Sequence, residues 1–251
     1  SEGERLTIFG IQAGASGLLL KQQEYFQKLV ENYPLDERAH YLLGNYYFYQ
    51  QDFNLALGEY RRATEINSQY PPAYNMLGYA HRQLENFDEA EVAFKKYLEI
   101  IPDNPNPYDS YAELLMKKGE FEKSIQNYQK ALKIDPFFIP SHLGIATNLN
   151  FLGRHQEAQA NLRAFLQISR SPVERRAALN AIIVSYLDES NYPRALNIND
   201  TLLAMSIQSA DTGNISGDYE IRGNILQELG NYQEALQNFR LSHQIIQQSH
   251  L

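Results

Sequence analysis

The chain has no cysteine, no tryptophan and only 3 methionines among its 251 residues. Without cysteine there are no disulfides, no thiolate nucleophile and no Cys-ligated zinc, which suits a reducing cytoplasm and a bacterial periplasm equally. Long apolar runs are missing too. Pieces such as Leu18-Leu19-Leu20 fall far short of the roughly 20 residues that span a bilayer, so direct membrane insertion is not expected. Cations are few and scattered, 22 Lys+Arg against 30 Asp+Glu, and phosphate binding needs clustered cations, so nucleic acid is excluded as a partner. The start, Ser1-Glu2-Gly3-Glu4-Arg5, has no initiator Met and lacks the basic, apolar, small-residue order of a signal peptide, so the chain reads as processed or as a fragment.

Catalytic chemistry is sparse as well. His40, His81, His142, His155, His243 and His250 form no metal-binding pair at helical spacing, and the glycines do not follow a phosphate-cradling pattern. Carboxylates such as Glu89 and Glu91 read as solvated surface. Asn199-Asp200-Thr201 and Asn214-Ile215-Ser216 match the glycosylation triplet, which is too short to decide anything. No cofactor, no metal and no enzymatic activity are expected.

What is present is repetition. Hydrophobic residues make up 43% and aromatics 12%, as 18 Tyr and 12 Phe, ample for a continuous core. One five-residue motif recurs at Asp52–Ala56, Asn86–Ala90, Glu120–Ser124 and Arg154–Ala158, a period of about 34 residues. Copies at Asn191–Ala195 and Asn231–Ala235 follow at longer intervals, which are read as insertions. Small residues Gly44, Gly78, Ala112, Ala146 and Gly223 keep the same register. They predict close helix crossings in which Gly or Ala on a first helix faces Ala or Ser on the second. Pro71, Pro72, Pro102, Pro105, Pro107, Pro136, Pro140 and Pro172 fall between units, where a proline can open a helix. Pro193 stands just inside another helix behind Asn191, the expected capping side chain.

These residues resemble the tetratricopeptide repeat: Tyr74, Leu77-Gly78, Ala90, Phe94 and Pro102 follow its signature, with Tyr in place of the first Trp. The resemblance implies an all-α fold, a right-handed α-α superhelix of about seven helix hairpins forming one solenoid over 1–251. Repeats are expected at 37–70, 71–104, 105–138 and 139–172, divergent ones at 176–209 and 216–249, and a degenerate one at 3–36 with Leu6, Phe9-Gly10 and Phe26. The stretch Pro105–Leu114 is similar to a bacterial subgroup that is often exported, which inclines the compartment that way.

The family's groove-facing positions, carried over residue by residue, imply a partner-binding site on the first helices. They are Arg38, Tyr41, Asn45, Phe48 and Tyr49, then Asn75, Tyr79 and Arg82, then Asp109, Glu113 and Lys117, then Thr147, Asn150 and Phe151. Rings take apolar side chains, and each Asn offers a donor and an acceptor to a peptide backbone. Within Tyr46-Tyr47-Phe48-Tyr49, Tyr47 is assigned to the core and Phe48 to the groove. Family members that hold acidic chaperone tails use Lys where Tyr41 stands and basic residues where Asp109 and Glu113 stand, so such tails are not expected to bind. The predicted function is a non-catalytic scaffold binding an extended peptide or helix of another protein. The alternatives are a sensory or assembly module of a larger membrane-attached or multidomain protein, and a homo-oligomer formed through end helices such as the one carrying Leu241, Ile245, Ile246 and Leu251.

Overall fold

A computed structural model describes residues 1–249, and Leu251, one of the late apolar residues, lies outside that range. Fourteen helices follow in seven consecutive pairs, and no strand occurs among the described residues. They are α1 (Glu2–Ala15), α2 (Leu19–Asn32), α3 (Glu37–Tyr49), α4 (Phe53–Ile66), α5 (Pro71–Gln83), α6 (Phe87–Ile100), α7 (Pro105–Lys117), α8 (Phe121–Ile134), α9 (Ile139–Phe151), α10 (His155–Ile168), α11 (Pro172–Asp188), α12 (Tyr192–Gln208), α13 (Thr212–Glu228) and α14 (Tyr232–Ser249). The chain packs as two compact units, residues 1–120 with α1 to α7 and residues 121–251 with α8 to α14.

The turn from first to second helix is made the same way in every pair. One residue takes a left-handed backbone: Gly17, Gln51, Glu85, Gly119, Gly153, Ser190 and Gly230 in turn. The amide after it reaches back to the last turn of the first helix, as in Asp52 N to Tyr47 O at 2.9 Å and Asn191 N to Tyr186 O at 2.7 Å, which satisfies carbonyls the helix leaves free. Prolines open α5, α7, α9 and α11 within their first two positions, where the missing N–H costs nothing. Asn191 does stand at the start of α12, but its side chain makes no capping hydrogen bond.

Helices α11 to α14 have 17 or 18 residues where the others have 13 or 14. The longer intervals in the sequence, read as insertions, are therefore helix: one added turn in each member of the last two pairs. Ala210, left-handed at φ 52°, gives the α12–α13 connection the tight geometry found elsewhere only inside pairs.

Packing corrects the expected partner of the repeat glycines. Gly44 meets the ring of Tyr60, Gly78 that of Phe94, and Gly223 that of Phe239. In each case the aromatic follows the motif's small residue, Ala56, Ala90 or Ala235, by one helical turn. A flat ring laid against backbone buries far more apolar area than an alanine could, and it fits only where no Cβ intervenes. The core of unit 1 is assembled from such contacts: Ala56, Leu57, Tyr60 and Ala80 in one cluster, and Ala90, Phe94 and Leu114 in another. Tyr46, 7% exposed, is the buried tyrosine of its run, whereas Tyr47 is half-buried and packs at the edges of two clusters.

Ionic contacts tie helices together in both units. In unit 1, Glu91 accepts from Tyr111 Oη at 2.9 Å and pairs with Lys118 at 2.9 Å and Lys95 at 2.8 Å. It is not the solvated carboxylate the sequence suggested. Hydrogen bonds from Lys95, Lys118 and Tyr111 hold its carboxyl down to about 2 from the usual 4.5. A carboxylate depressed in this way adds stability above pH ~4.5 that disappears as pH falls through about 2. Glu91→Gln is expected to lower stability at pH 7 by about 2 kcal/mol, water access to the lysines having been allowed for. The gap between wild type and variant, read from urea melts across pH, should close between pH ~4.5 and ~2; a gap independent of pH would refute the assignment. In unit 2, Asp218, fully buried, is held by two contacts from Arg176, one of them Nη1 at 3.0 Å, and by Ser206 Oγ at 2.5 Å.

Candidate functional site

The predicted groove residues of unit 1 lie on α3, α5 and α7, first helices that adjoin one another along the unit. On α3, Arg38 and Tyr49 are exposed, Tyr49 to 76%, while Tyr41, Asn45 and Phe48 are half-buried. Phe48 packs edge-on against Tyr49 with centroids 5.9 Å apart and against Phe53 at 5.4 Å. Tyr41 packs edge-on against Tyr70 at 5.7 Å. Burial pushes the Tyr70 hydroxyl up to about 12, so it stays a neutral donor at physiological pH. Sequence reasoning passed over Tyr70 and Phe53 because Tyr70 is the N-cap just before α5 and Phe53 is the first residue of α4, both outside the first-helix positions searched.

On α5, Tyr79 and Arg82 are half-buried, and the Arg82 guanidinium lies over the Tyr79 ring at 4.7 Å. Arg82 Nη1 donates to Glu113 Oε2 on α7 at 2.7 Å. Tyr79 Oη donates to Ser110 Oγ at 3.1 Å, and burial, with the Glu113 charge nearby, raises its pKa well above the ordinary phenol value. Lys117 is exposed, but Asp109 is only 5% exposed. Asp109 is therefore part of the packed interior, not a carboxylate presented to a ligand.

The asparagines divide into two kinds. Asn45 Oδ1 accepts from Tyr60 Oη at 2.9 Å, and in unit 2 Asn150 Oδ1 accepts from Ser185 Oγ at 3.0 Å. Both side-chain carbonyls thus take part in bonds within the fold. The buried side-chain carbonyls of Asn75 and Asn180 have no hydrogen-bond partner. Thr147 is exposed with its hydroxyl turned to Leu143 O at 3.0 Å, and Phe151 is 64% exposed, its ring 5.4 Å from Phe121.

Two of the histidines are held by the fold, and His250 lies outside the described residues. His40 Nδ1 contacts Glu59 at 2.6 Å and its Nε2 contacts Pro34 O. His142 contacts Pro136 O in the same relative position and stacks on Phe165 at 4.2 Å. Burial lowers the pKa of both His81 and His142. Asn199, of the glycosylation triplet, is fully buried and donates to Asp218 O at 3.1 Å. A cavity of about 520 Å³ in unit 1 is bordered by Ile8, Leu29, Tyr33, Arg38 and Leu42. Another of about 390 Å³ in unit 2 is bordered by Val173, Arg176, Met205, Ser206 and Asn214.

Paired helices, glycine-to-ring crossings and a shared turn geometry define a helical-repeat protein of the solenoid class. Residues 23–71, 41–105 and 105–138 match models described as the tetratricopeptide repeat, so over residues 23–138 the chain is a tetratricopeptide repeat protein. A crystal structure of a tetratricopeptide repeat protein from Parabacteroides merdae superposes with a TM-score of 0.70, covering 97% of this chain and 93% of that one at 16% identity. MamA from Desulfovibrio magneticus RS-1 superposes with a TM-score of 0.59 over 68% of this chain and 97% of that one, at 15% identity. Among curated sequences, a UDP-N-acetylglucosamine–peptide N-acetylglucosaminyltransferase of Giardia intestinalis is 28% identical over 54% of this chain. A small glutamine-rich tetratricopeptide repeat-containing protein of Mycosarcoma maydis is 25% identical over 47%. The matched regions cover 10% and 34% of those two proteins. The fold is thus that of a scaffold for protein–protein interaction.

Proposed function

We propose that the chain is a non-catalytic scaffold whose first-helix face binds an extended peptide or a helix of a partner protein. The observation that carries this is the ring pair Phe48 and Tyr49 on α3, with Tyr49 76% exposed, together with a half-buried arginine on the adjoining helix α5. Exposed aromatics beside Arg are the residue types that dominate binding energy at protein interfaces. His40 and His142 are engaged within the fold, through Glu59 and Pro34 for the first and Pro136 and Phe165 for the second, as expected of packing residues.

The test is a pull-down from native lysate with wild type beside a Phe48→Ala/Tyr49→Ala variant. Loss of about 2 kcal/mol or more of affinity is expected, read as a partner recovered only by wild type. Equal recovery would move the interaction to another face. The alternative of a module within a larger protein is supported by one observation: the matched curated relatives are three to ten times as long as the region they share with this chain.

A further inference from the structure

Arg82 is the one half-buried cation among the predicted face residues of unit 1, and it is preorganised. Its guanidinium lies over Tyr79, whose hydroxyl is fixed in turn by Ser110. A planar cation held against a ring and shielded from water is a strong receptor for a carboxylate. Here the carboxylate is supplied from within: Glu113, reaching from the neighbouring first helix, pairs with Arg82 at 2.7 Å, the two side chains being 21% and 32% exposed for Arg82 and Glu113. One turn before Glu113 on α7, Asp109 is buried. Arg38 and Lys117, the other cations of the face, are exposed and screened by solvent. Residues 1–120 hold 11 Lys+Arg against 18 Asp+Glu, so the wider field of the unit also opposes an anion.

We propose that Glu113 sets the charge preference of this face: it occupies, from within the chain, the place from which a partner's carboxylate would engage Arg82, so the face takes segments without acidic side chains and rejects acidic ones. The inference rests on the partner-binding reading above and assigns its specificity. It also replaces the simpler idea that Asp109 and Glu113 repel an acidic tail directly, since Asp109 is buried and Glu113 acts by masking Arg82.

A gain of binding tests it. Fluorescence anisotropy would compare a labelled peptide of two leucines and four glutamates with its four-glutamine counterpart on wild type, Glu113→Gln and Arg82→Gln/Glu113→Gln. Glu113→Gln is expected to bind the glutamate peptide about tenfold tighter than wild type does, a gain the double variant abolishes. The proposal is overturned if Glu113→Gln gains nothing for the glutamate peptide, or if the gain persists without Arg82. Thermal melts confirm that each variant is folded. Because the assay depends on a cation newly freed and not on the natural partner, its result is independent of the pull-down with Phe48→Ala/Tyr49→Ala, which tests the face itself.

Discussion

Asp218→Ala is expected to lower the stability of unit 2 by about 3–5 kcal/mol, because it leaves Arg176 half-buried without its counter-charge. The carboxylate is fully buried and joins three helices: Arg176 comes from α11, Ser206 from α12 and Asp218 from α13. Its backbone carbonyl also receives Asn199 Nδ2 at 3.1 Å. Removing both ions at once should cost much less, since a buried pair gains little over well-packed apolar side chains. The measurement is urea unfolding of Asp218→Ala beside Arg176→Met/Asp218→Leu. A double variant as unstable as the single one would show that the loss comes from packing and not from the stranded charge.

The second large effect concerns Phe94. It is fully buried with its ring on Gly78, and Phe94→Ala should cost about 3–5 kcal/mol as a cavity opens between α5 and α6. The informative comparison is the response of Gly78. A methyl group there would lie 2.6 Å from Phe94 Cε1, so Gly78→Ala in the wild-type background should destabilise by about 1–3 kcal/mol through overpacking. In the Phe94→Ala background the ring is gone, and the same substitution should become neutral or stabilising by up to about 1 kcal/mol, the helix-propensity difference between Ala and Gly. Equal costs of Gly78→Ala in both backgrounds would refute the glycine-to-ring contact.

The repeat period, the crossing positions and the proline-opened helices were legible because each follows from local chemistry: a glycine costs helix stability and persists where something must come close. Which group came close was not legible. The ring of Phe94 and the methyl of Ala90 are one turn apart on the same helix face, and only side-chain direction decides between them. The same limit separates Tyr46 from Tyr47, adjacent residues about 100° apart around α3. The extra turns of α11 to α14 were hidden because a lengthened period does not say whether added residues are loop or helix. Pairings across repeats were the least legible. Arg82 to Glu113 and Arg176 to Asp218 span 31 and 42 residues, and nothing in either local sequence announces the other. Of the candidate face, the residue types were readable and the internal bonds of Asn45, Asn150 and Arg82, which decide what remains available to a partner, were not.

The interlock of ring and glycine also bears on how such a chain can be cut and rejoined. In the pairs α1/α2, α3/α4, α5/α6 and α13/α14 the ring and its glycine belong to the same hairpin, Phe26 on Gly10, Tyr60 on Gly44, Phe94 on Gly78 and Phe239 on Gly223. Each of those hairpins carries its own lock and travels as a cassette through duplication or deletion. Tyr128 breaks the rule: from α8 it covers Gly144 on α9, in the next pair. A recombination junction placed between residues 138 and 139 would therefore separate a key from its lock, whereas a junction between residues 70 and 71 leaves every such couple whole.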